Sequence, residues 1–301
     1  MPNIFNYFKR PEYVFRPRQV LRRFGRMGKA PATREVVELP WGASVNVHPR
    51  ENVGSDIFHY GIFDRIVPEA IYRLTDEGEW AVEVGANIGQ NCSLMAYRAG
   101  LRGRVIAFEP HPEIFQELKG NLALWPEPIQ RTIQLENVAL GETSGEAWLG
   151  DGSEFGHNRG SASLCDPATA SGRTFKVNLR QLDEYIPESA KIGVCKIDVE
   201  GHELSVLKGA SGALRRGAIR DLIFEDFTAM PSPVGTFLQE HRFTIFQMTA
   251  LWWKPLLSEV REGVKPPEGF SFNYLATLEP ERAKSRFQAG GWRCLTCRPL
   301  S

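Results

Sequence analysis

Cysteine is scarce in this sequence, and the few cysteines follow no regular spacing. Five occur among 301 residues, at positions 92, 165, 195, 294 and 297. An odd, scattered set does not predict a disulfide framework, so we expect a protein of a reducing, cytoplasmic compartment. Cys294 and Cys297 have CxxC spacing, but no second pair of ligands accompanies them. We therefore interpret this pair as structural rather than metal-binding.

Long apolar segments and an excess of charge are also missing. No run of about 18 apolar residues occurs, so we expect no transmembrane segment. The first residues lack the apolar stretch of a secretory signal. The net charge is zero, because 36 Lys and Arg residues balance 36 Asp and Glu residues. A balanced chain is not built to coat nucleic acid, so we expect no nucleic-acid partner.

Residues 1–30 differ from the rest in being strongly basic and aromatic. Eight Lys and Arg residues face one acidic residue, Glu12, which leaves a local net charge of +7. One interpretation is an amphipathic arm that makes peripheral contact with a membrane surface or an acidic partner. The other is a pair of short helices packed on the main domain, which we favour because Pro11 and Pro17 interrupt any long helix. We assign residues 1–75 to an N-terminal extension and lead-in, and residues 76–301 to the main domain.

From residue 76 onward, short apolar segments alternate with segments of helical periodicity. We expect strands at 80–84, 104–108, 133–138, 194–198 and 221–225, with two more at 243–248 and 272–278. Strands that alternate with helices predict an α/β fold of the Rossmann-like type, with a mostly parallel, seven-stranded sheet and helices on both faces. Residues 141–180 are rich in Gly and Ser and predict a hairpin or loop insertion, a common place for substrate contacts.

The segment 83–89, Glu-Val-Gly-Ala-Asn-Ile-Gly, joins the first of these strands to a helix. Gly85 allows a sharp turn and a close approach to a ligand. The free N–H groups of the next helix suit an anion such as an amino-acid carboxylate. Glu83 can take the cationic amino group of the same ligand. The alternative is that Gly85 and Gly89 only allow helices to pack.

A second acidic residue, Glu109, ends the next strand, 26 residues after Glu83. At that place a carboxylate can accept hydrogen bonds from both ribose hydroxyls, although a solvent-exposed strand end is the alternative. The dinucleotide pattern G-x-G-x-x-G does not occur here; the spacing is G-x-x-x-G, preceded by Glu83. A carboxylate beside the turn repels a pyrophosphate but suits a cationic amino acid. This difference favours S-adenosylmethionine over NAD.

Several motifs together resemble the FkbM-type methyltransferases. They occur in the same order as in the family over about residues 80–227. Residues 61–64 and 273–277 also resemble the family's sequence. The matching pieces are 83–89, 107–112, 137–141, 160–164 and 196–201.

The resemblance implies a Rossmann-like class I methyltransferase fold and transfer of a methyl group to an oxygen, usually a hydroxyl of a sugar, glycan or polyketide-like acceptor. It implies roles for three sets of residues. The methionine end of the cofactor is lined by Glu83, Gly85, Asn87 and Gly89, the ribose is held by Glu109, and the adenine is flanked by Asn137, Val138 and Ala139.

An aliphatic hydroxyl needs a base, and ligands of open α/β sheets bind at the carboxyl ends of the strands. The fourth and fifth strands end at Asp198 and Glu225. Asp198 is our first candidate for the base, although it can instead be a helix cap or a partner of Lys196, which lies on the same side of the strand. Glu225 is the second candidate, and His202, at the start of a helix, is the third.

Three matters stay open at this point. The carboxylates of Asp198, Glu200, Glu225 and Asp226 also permit a Mg²⁺ site, which we do not favour. Two alternatives to an O-methyltransferase are a non-catalytic binding module with the same fold and an NAD-type oxidoreductase. The sequence does not name the methyl acceptor.

Overall fold

The computed structural model describes residues 11–16, 31–228, 230–260 and 272–297. Most of the basic stretch, residues 1–10 and 17–30, lies outside these ranges. Its two interpretations, a membrane-contacting arm and a pair of packed helices, are therefore not tested for these residues. Within the described ranges, no helix is both long and apolar enough to cross a membrane.

The first described elements come before the main sheet and form its lead-in. They are α1 (Pro11–Phe15), β1 (Glu35–Glu38), β2 (Ser44–Val47), α2 (Asn52–Tyr60) and α3 (Ile66–Leu74). The strands β1 and β2 pair as an antiparallel hairpin. Glu51 caps α2, because its carboxylate accepts the N–H groups of Val53 and Gly54 at the start of the helix.

The main domain then alternates strands and helices as the sequence predicts. Its first half consists of β3 (Trp80–Val84), α4 (Gln90–Ala99), β4 (Arg104–Phe108), α5 (Pro112–Leu122), α6 (Glu127–Gln130) and β5 (Ile133–Glu136). An insertion adds β6 (Ala139–Leu140), β7 (Gly145–Gly150), β8 (Ser163–Leu164) and β9 (Thr174–Arg180). The second half contains β10 (Ile192–Ile197), α7 (Glu203–Lys208), α8 (Ser211–Arg215), β11 (Ile219–Glu225), α9 (Pro233–Glu240), β12 (Thr244–Ala250), β13 (Pro255–Glu259), β14 (Asn273–Thr277), α10 (Pro280–Gln288) and α11 (Arg293–Thr296).

The main sheet has eight strands among the described residues, in the order β13-β12-β14-β11-β10-β3-β4-β5. The five strands from β11 to β5 are parallel neighbours, and β14 runs antiparallel between β11 and β12. This confirms the mostly parallel Rossmann-like sheet. The edge strand β13 goes beyond the seven that the sequence predicts; it pairs antiparallel with β12. The insertion forms a small sheet of its own, in the order β6-β9-β7-β8.

The central strands are buried, which explains why their sequences are continuous apolar runs. Every residue of β10 is buried, as are the last four of β3 and of β4. Strands covered by helices on both faces show this pattern. One face packs on a hydrophobic cluster that includes Trp41, Ile57, Ile71 and Leu94, so the lead-in shares the core of the main domain.

A buried ion pair fastens the last helix to this core. The Nε of Arg73 donates to Glu69 at 2.6 Å, and both side chains are almost fully buried. The Glu69 carboxylate also accepts the N–H groups of Arg293 and Cys294, at 3.0 and 2.8 Å. Cys294 and Cys297 are free thiols.

The short helix α1 shows how the described part of the N-terminal stretch packs. Tyr13 is buried, with its ring 5.9 Å from that of Tyr60, and Glu12 pairs with Arg65. The next residue, Val14, is 44% exposed. Residues 11–16 are therefore part of the packed domain.

We expect Tyr13→Ala to destabilise the protein by about 3 kcal/mol, because truncating a buried aromatic side chain removes its contacts and leaves a cavity. Val14→Ala is the matched control on the same helix and should change the free energy of unfolding by less than about 0.5 kcal/mol. Denaturant unfolding of both variants measures the difference. Equal stability of the two variants would show that α1 does not contribute to the fold.

Candidate active site

A cavity of about 360 Å³ opens at the carboxyl ends of β3, β4, β10 and β11. Ligands of open α/β sheets bind at this edge, and the volume lies within the usual range of ligand pockets. Nine of the eleven residues singled out from the sequence line the cavity: Glu83, Gly85, Asn87, Glu109, Val138, Ala139, Asp198, His202 and Glu225. The other two, Gly89 and Asn137, do not line the cavity.

Gly85 is required by the close approach of two strand ends. Its φ is +82°, and a Cβ there would lie 2.0 Å from the carbonyl oxygen of Asp198. Gly89 also has a positive φ, but a Cβ there would meet Leu118 at 2.7 Å. Gly85 therefore shapes the cavity, whereas Gly89 fits the alternative interpretation of a packing glycine between α4 and α5.

Glu109 is buried and holds the turn that follows β3. Its Oε2 accepts the N–H of Asn87 at 2.8 Å, and its Oε1 accepts the N–H of His111 at 2.9 Å. Asn137 Nδ2 donates to the carbonyl oxygen of Glu109 at 2.8 Å, so Asn137 supports this residue from behind. Burial raises the pKa of Glu109 to about 7. Each carboxylate oxygen retains a lone pair for a further donor.

Glu83 lies at the base of the cavity and is only 1% exposed. Its Oε1 is 3.6 Å from the Nζ of Lys196, and its Oε2 has no hydrogen-bond partner among the described residues. Burial raises the pKa of Glu83 to about 7, against the opposing effects of Lys196, of the Asn91 side chain and of the N–H of Cys92. An unpartnered buried carboxylate oxygen is costly, and a cationic ligand group would satisfy it.

Lys196 joins the ends of β3 and β10. Its Nζ lies 3.1 Å from Asp198 Oδ2 and donates to the carbonyl oxygen of Gly85 at 3.2 Å. Burial opposes the charged form, but the carboxylates of Asp198, Glu83 and Asp64 outweigh it and raise the pKa of Lys196. Asp198 is therefore paired with a lysine, which is one of the two alternatives to its role as a base.

Glu225 is half-buried at the end of β11, and no ion pair to it occurs within the described ranges. Burial and, to a smaller extent, the neighbouring carboxylates of Asp198, Glu200 and Asp64 together raise its pKa to about 8. His202 lines the same end of the cavity and is the N-cap residue of α7, where its side chain makes no capping bond. A carboxyl group with a pKa near 8 is poised for proton transfer at neutral pH.

Two residues of this end were not singled out as site residues from the sequence. Asp64 precedes α3 and Asn273 begins β14, and the Nδ2 of Asn273 donates to Asp64 Oδ2 at 2.9 Å. Asn273 is also the cross-strand partner of Glu225. The available signal was that residues 61–64 and 273–277 resemble the family's sequence. Neither Asp64 nor Asn273 follows a parallel strand, so the rule that ligands bind at the carboxyl ends of parallel strands did not identify them.

The insertion contributes a wall of the cavity through residues 158–164. His111 Nε2 lies 2.8 Å from Asp151 Oδ1, and the His111 ring stacks on Phe155. Arg159 donates to both carboxylate oxygens of Glu117 on α5, at 2.6 and 2.8 Å. These contacts fix the insertion beside the carboxyl end of β4. Its role in substrate contacts stays a prediction.

Of the four carboxylates considered for Mg²⁺, those of Asp198, Glu200 and Glu225 line the cavity, and that of Asp226 does not. Asp226 instead accepts the N–H of Thr228 at 2.8 Å. In the part of the chain that the structure describes, no three His, Cys, Asp or Glu side chains are placed to hold a metal ion.

Comparison with known proteins yields a family match and two distant relatives. Residues 83–248, more than half of the chain, match the model of the methyltransferase FkbM domain. The hexuronic acid methyltransferase AglP of Haloferax volcanii is 31% identical over 148 residues, which are 46% of this chain and 53% of that protein. The AMB antimetabolite synthetase AmbE of Pseudomonas aeruginosa is 28% identical over 226 residues, 63% of this chain and 10% of that protein. The chain thus spans about half the length of the first relative and a tenth of the second.

Solved structures resemble the chain more remotely. A SAM-dependent O-methyltransferase from Thermotoga maritima aligns with a TM-score of 0.41 and 14% identity, over 81% of this chain and 77% of that one. A similarity of this size has no weight for function.

We expect Gly85→Ala to lower the free energy of unfolding by more than about 1 kcal/mol, because alanine at a positive φ is strained and its Cβ would meet a carbonyl oxygen. Gly120→Ala is the control. Gly120 lies within α5 with open space where a Cβ would be, so alanine there should stabilise by about 0.5–1 kcal/mol. Urea unfolding of the two variants gives both values. A Gly85→Ala protein as stable as the wild type would contradict the close approach of β3 and β10.

Proposed function

The chain belongs to the FkbM methyltransferase family, and we propose that it transfers a methyl group from S-adenosylmethionine to a hydroxyl oxygen of a sugar or glycan. One observation carries the choice of cofactor. Glu83 has a buried carboxylate oxygen without a partner, at the base of the cavity and beside the Gly85 turn. A cationic amino group fits this place, whereas a pyrophosphate would be repelled.

The remaining residues of the cavity fit the other parts of that cofactor. The free lone pairs of the Glu109 carboxylate suit the two ribose hydroxyls. Val138 and Ala139 lie on the apolar side of the cavity and suit the adenine, together with Ile114, Leu149 and Leu164. The N–H of Asn87 already donates to Glu109. Asn87 therefore acts mainly by fixing the Glu109 carboxylate that would hold the ribose.

S-adenosylmethionine supplies a methyl group on a positively charged sulfur. Methyl transfer is an in-line displacement, and the protein has to align the acceptor oxygen and exclude water. The carboxylates of Asp198 and Glu225 lie at the strand ends where the acceptor would enter. Phe227, which is 59% exposed, forms part of the rim beside them and offers an aromatic face to a sugar ring.

Among the three candidate bases, the geometry favours Glu225 over Asp198 and His202. Asp198 is held by Lys196 at 3.1 Å, and a carboxylate in an ion pair is a weaker base. Glu225 lacks such a pair, and its pKa is raised to about 8. Asp198 is then better suited to orient the acceptor hydroxyl or the amino group of the cofactor.

The relative AglP is named as a methyltransferase of hexuronic acid, which motivates a sugar as the acceptor. A sugar hydroxyl needs a base, and this cavity offers one, so we propose a hydroxyl as the methylated group. The two alternatives, an NAD-type oxidoreductase and a non-catalytic binding module, lead to different results in the test below.

Titration calorimetry should show binding of S-adenosylmethionine and no binding of NAD. Glu109→Ala should weaken cofactor binding by roughly ten- to a hundredfold, the usual loss for hydrogen bonds to a charged group. Glu113→Ala is the control, since Glu113 is exposed and pairs with Arg173 outside the cavity. Binding of NAD in place of S-adenosylmethionine would assign the fold to an oxidoreductase.

Transfer of labelled methyl groups to a panel of methyl glycosides, neutral and uronic, identifies the acceptor. Cofactor binding without transfer to any of them would favour the non-catalytic module.

Once an acceptor is identified, Glu225→Gln should reduce turnover by about a hundredfold or more, the usual contribution of a general base, while cofactor affinity stays nearly unchanged. The base acts in its ionised form, so turnover should rise with pH up to the pKa of Glu225, near 8 or below it when a cation is bound. Initial rates from pH 6 to 9 measure both effects. A larger loss in Asp198→Asn than in Glu225→Gln would return the base role to Asp198.

A further inference from the structure

Asp64 brings a carboxylate into the cavity from outside the matched domain, which begins at residue 83. Its φ is +38°, in the left-handed region that residues other than Gly, Asn and Asp rarely adopt. The bond from Asn273 holds its Oδ2 at 2.9 Å. A lead-in turn and strand β14 thus fix this side chain together.

The charges around Asp64 show what it can do. Asp198 and Lys196 are the charged groups that shift its pKa, and Asp64 in turn raises the pKa of Glu225. Lys196 is already engaged with Asp198, with the carbonyl oxygen of Gly85 and, at 3.6 Å, with Glu83. Among the described residues, the cavity is thus lined by one ammonium group, that of Lys196, and by six carboxylates, those of Asp64, Glu83, Glu109, Asp198, Glu200 and Glu225. This leaves an excess of negative charge.

We propose that Asp64 is the residue through which the cavity distinguishes the cofactor, whose sulfur is positively charged, from the product, whose sulfur is neutral. This inference rests on the proposed function. In the transfer, the bond from sulfur to the methyl carbon breaks and the bond from the acceptor oxygen to that carbon forms. The electron pair stays on sulfur, which becomes a neutral thioether, and the acceptor's proton goes to the base. Sulfur thus loses its charge, whereas the amino and carboxylate groups of the cofactor do not change.

The other five carboxylates are less suited to this discrimination. Glu109 is assigned to the ribose, which cofactor and product share, and Glu200 is exposed, so water and salt screen its charge. Glu83 faces the amino end, which cofactor and product share, and Asp198 is neutralised by Lys196. Glu225 is the proposed base and takes up a proton during the reaction. Asp64 accepts hydrogen bonds from the Asn273 amide and from the N–H of Ile66, both uncharged donors, so its charge remains available to attract the sulfonium group.

The test compares the dissociation constants of S-adenosylmethionine and S-adenosylhomocysteine by calorimetry at pH 8.5, above the raised pKa values of Asp64 and Glu225, about 6 and about 8. We expect the wild type to bind S-adenosylmethionine about tenfold more tightly than the product. Asp64→Asn should remove most of this preference, because a nearby charge in a partly desolvated site contributes about tenfold or more. The affinity for S-adenosylhomocysteine should change by less than about twofold.

Asp64→Gly removes the charge together with the whole side chain and its hydrogen bond to Asn273, so it tests whether the charge alone sets the preference. Both Asn and Gly accept the left-handed conformation, so both variants should melt close to the wild-type temperature and lose the same preference. The same ratio of the two dissociation constants in the wild type and in Asp64→Asn would overturn this inference while leaving the proposed function intact. Failure of the wild type to bind either compound would overturn both.

Discussion

The ion contacts of Lys196 hold together the part of the sheet on which the cavity depends. One ammonium group reaches the Gly85 carbonyl oxygen at the end of β3 and the Asp198 carboxylate at the end of β10. Without it, Glu83 and Asp198 would face each other as buried or half-buried like charges, which is strongly unfavourable. Lys196 lies in β10 and Asp198 directly follows that strand. Because the two residues are two positions apart in extended chain, their side chains point to the same side, and one short segment supplies the pair.

The sequence predicted those features of the site that depend on short segments. The turn from Glu83 to Gly89 and the strand-end position of Glu109 follow from a local pattern of strand, glycine turn and helix, and the structure has them there. The contributions of Asp64 and Asn273 could not be predicted this way. Their positions depend on how the lead-in and an antiparallel strand pack beside β11, a contact between residues more than 200 positions apart.

The base illustrates a different limit of sequence reasoning. The alternation of side chains along a strand indicated that Lys196 and Asp198 point to the same side of the sheet. It did not show whether the two groups form an ion pair, or whether another carboxylate lacks one. The structure places the ammonium group on Asp198 and leaves Glu225 without an ion pair among the described residues, so their chemistry differs although both end a parallel strand. The same limit applies to Gly89, which shares its positive φ with Gly85 but faces α5 rather than the cavity.

The raised pKa values at one edge of the sheet have a common physical origin. Burial without enough cations raises the pKa of Glu83, Glu109 and Glu225, so folding of the ligand-free protein is opposed by the ionised forms. A carboxyl group whose pKa is higher in the folded state contributes less to stability as the pH rises through that value. An apolar cavity of the same shape would avoid this cost, so the excess of carboxylates is not explained by stability. A ligand that carries positive charge into the cavity would relieve it, and this supports the proposal of a cationic cofactor beside Glu83.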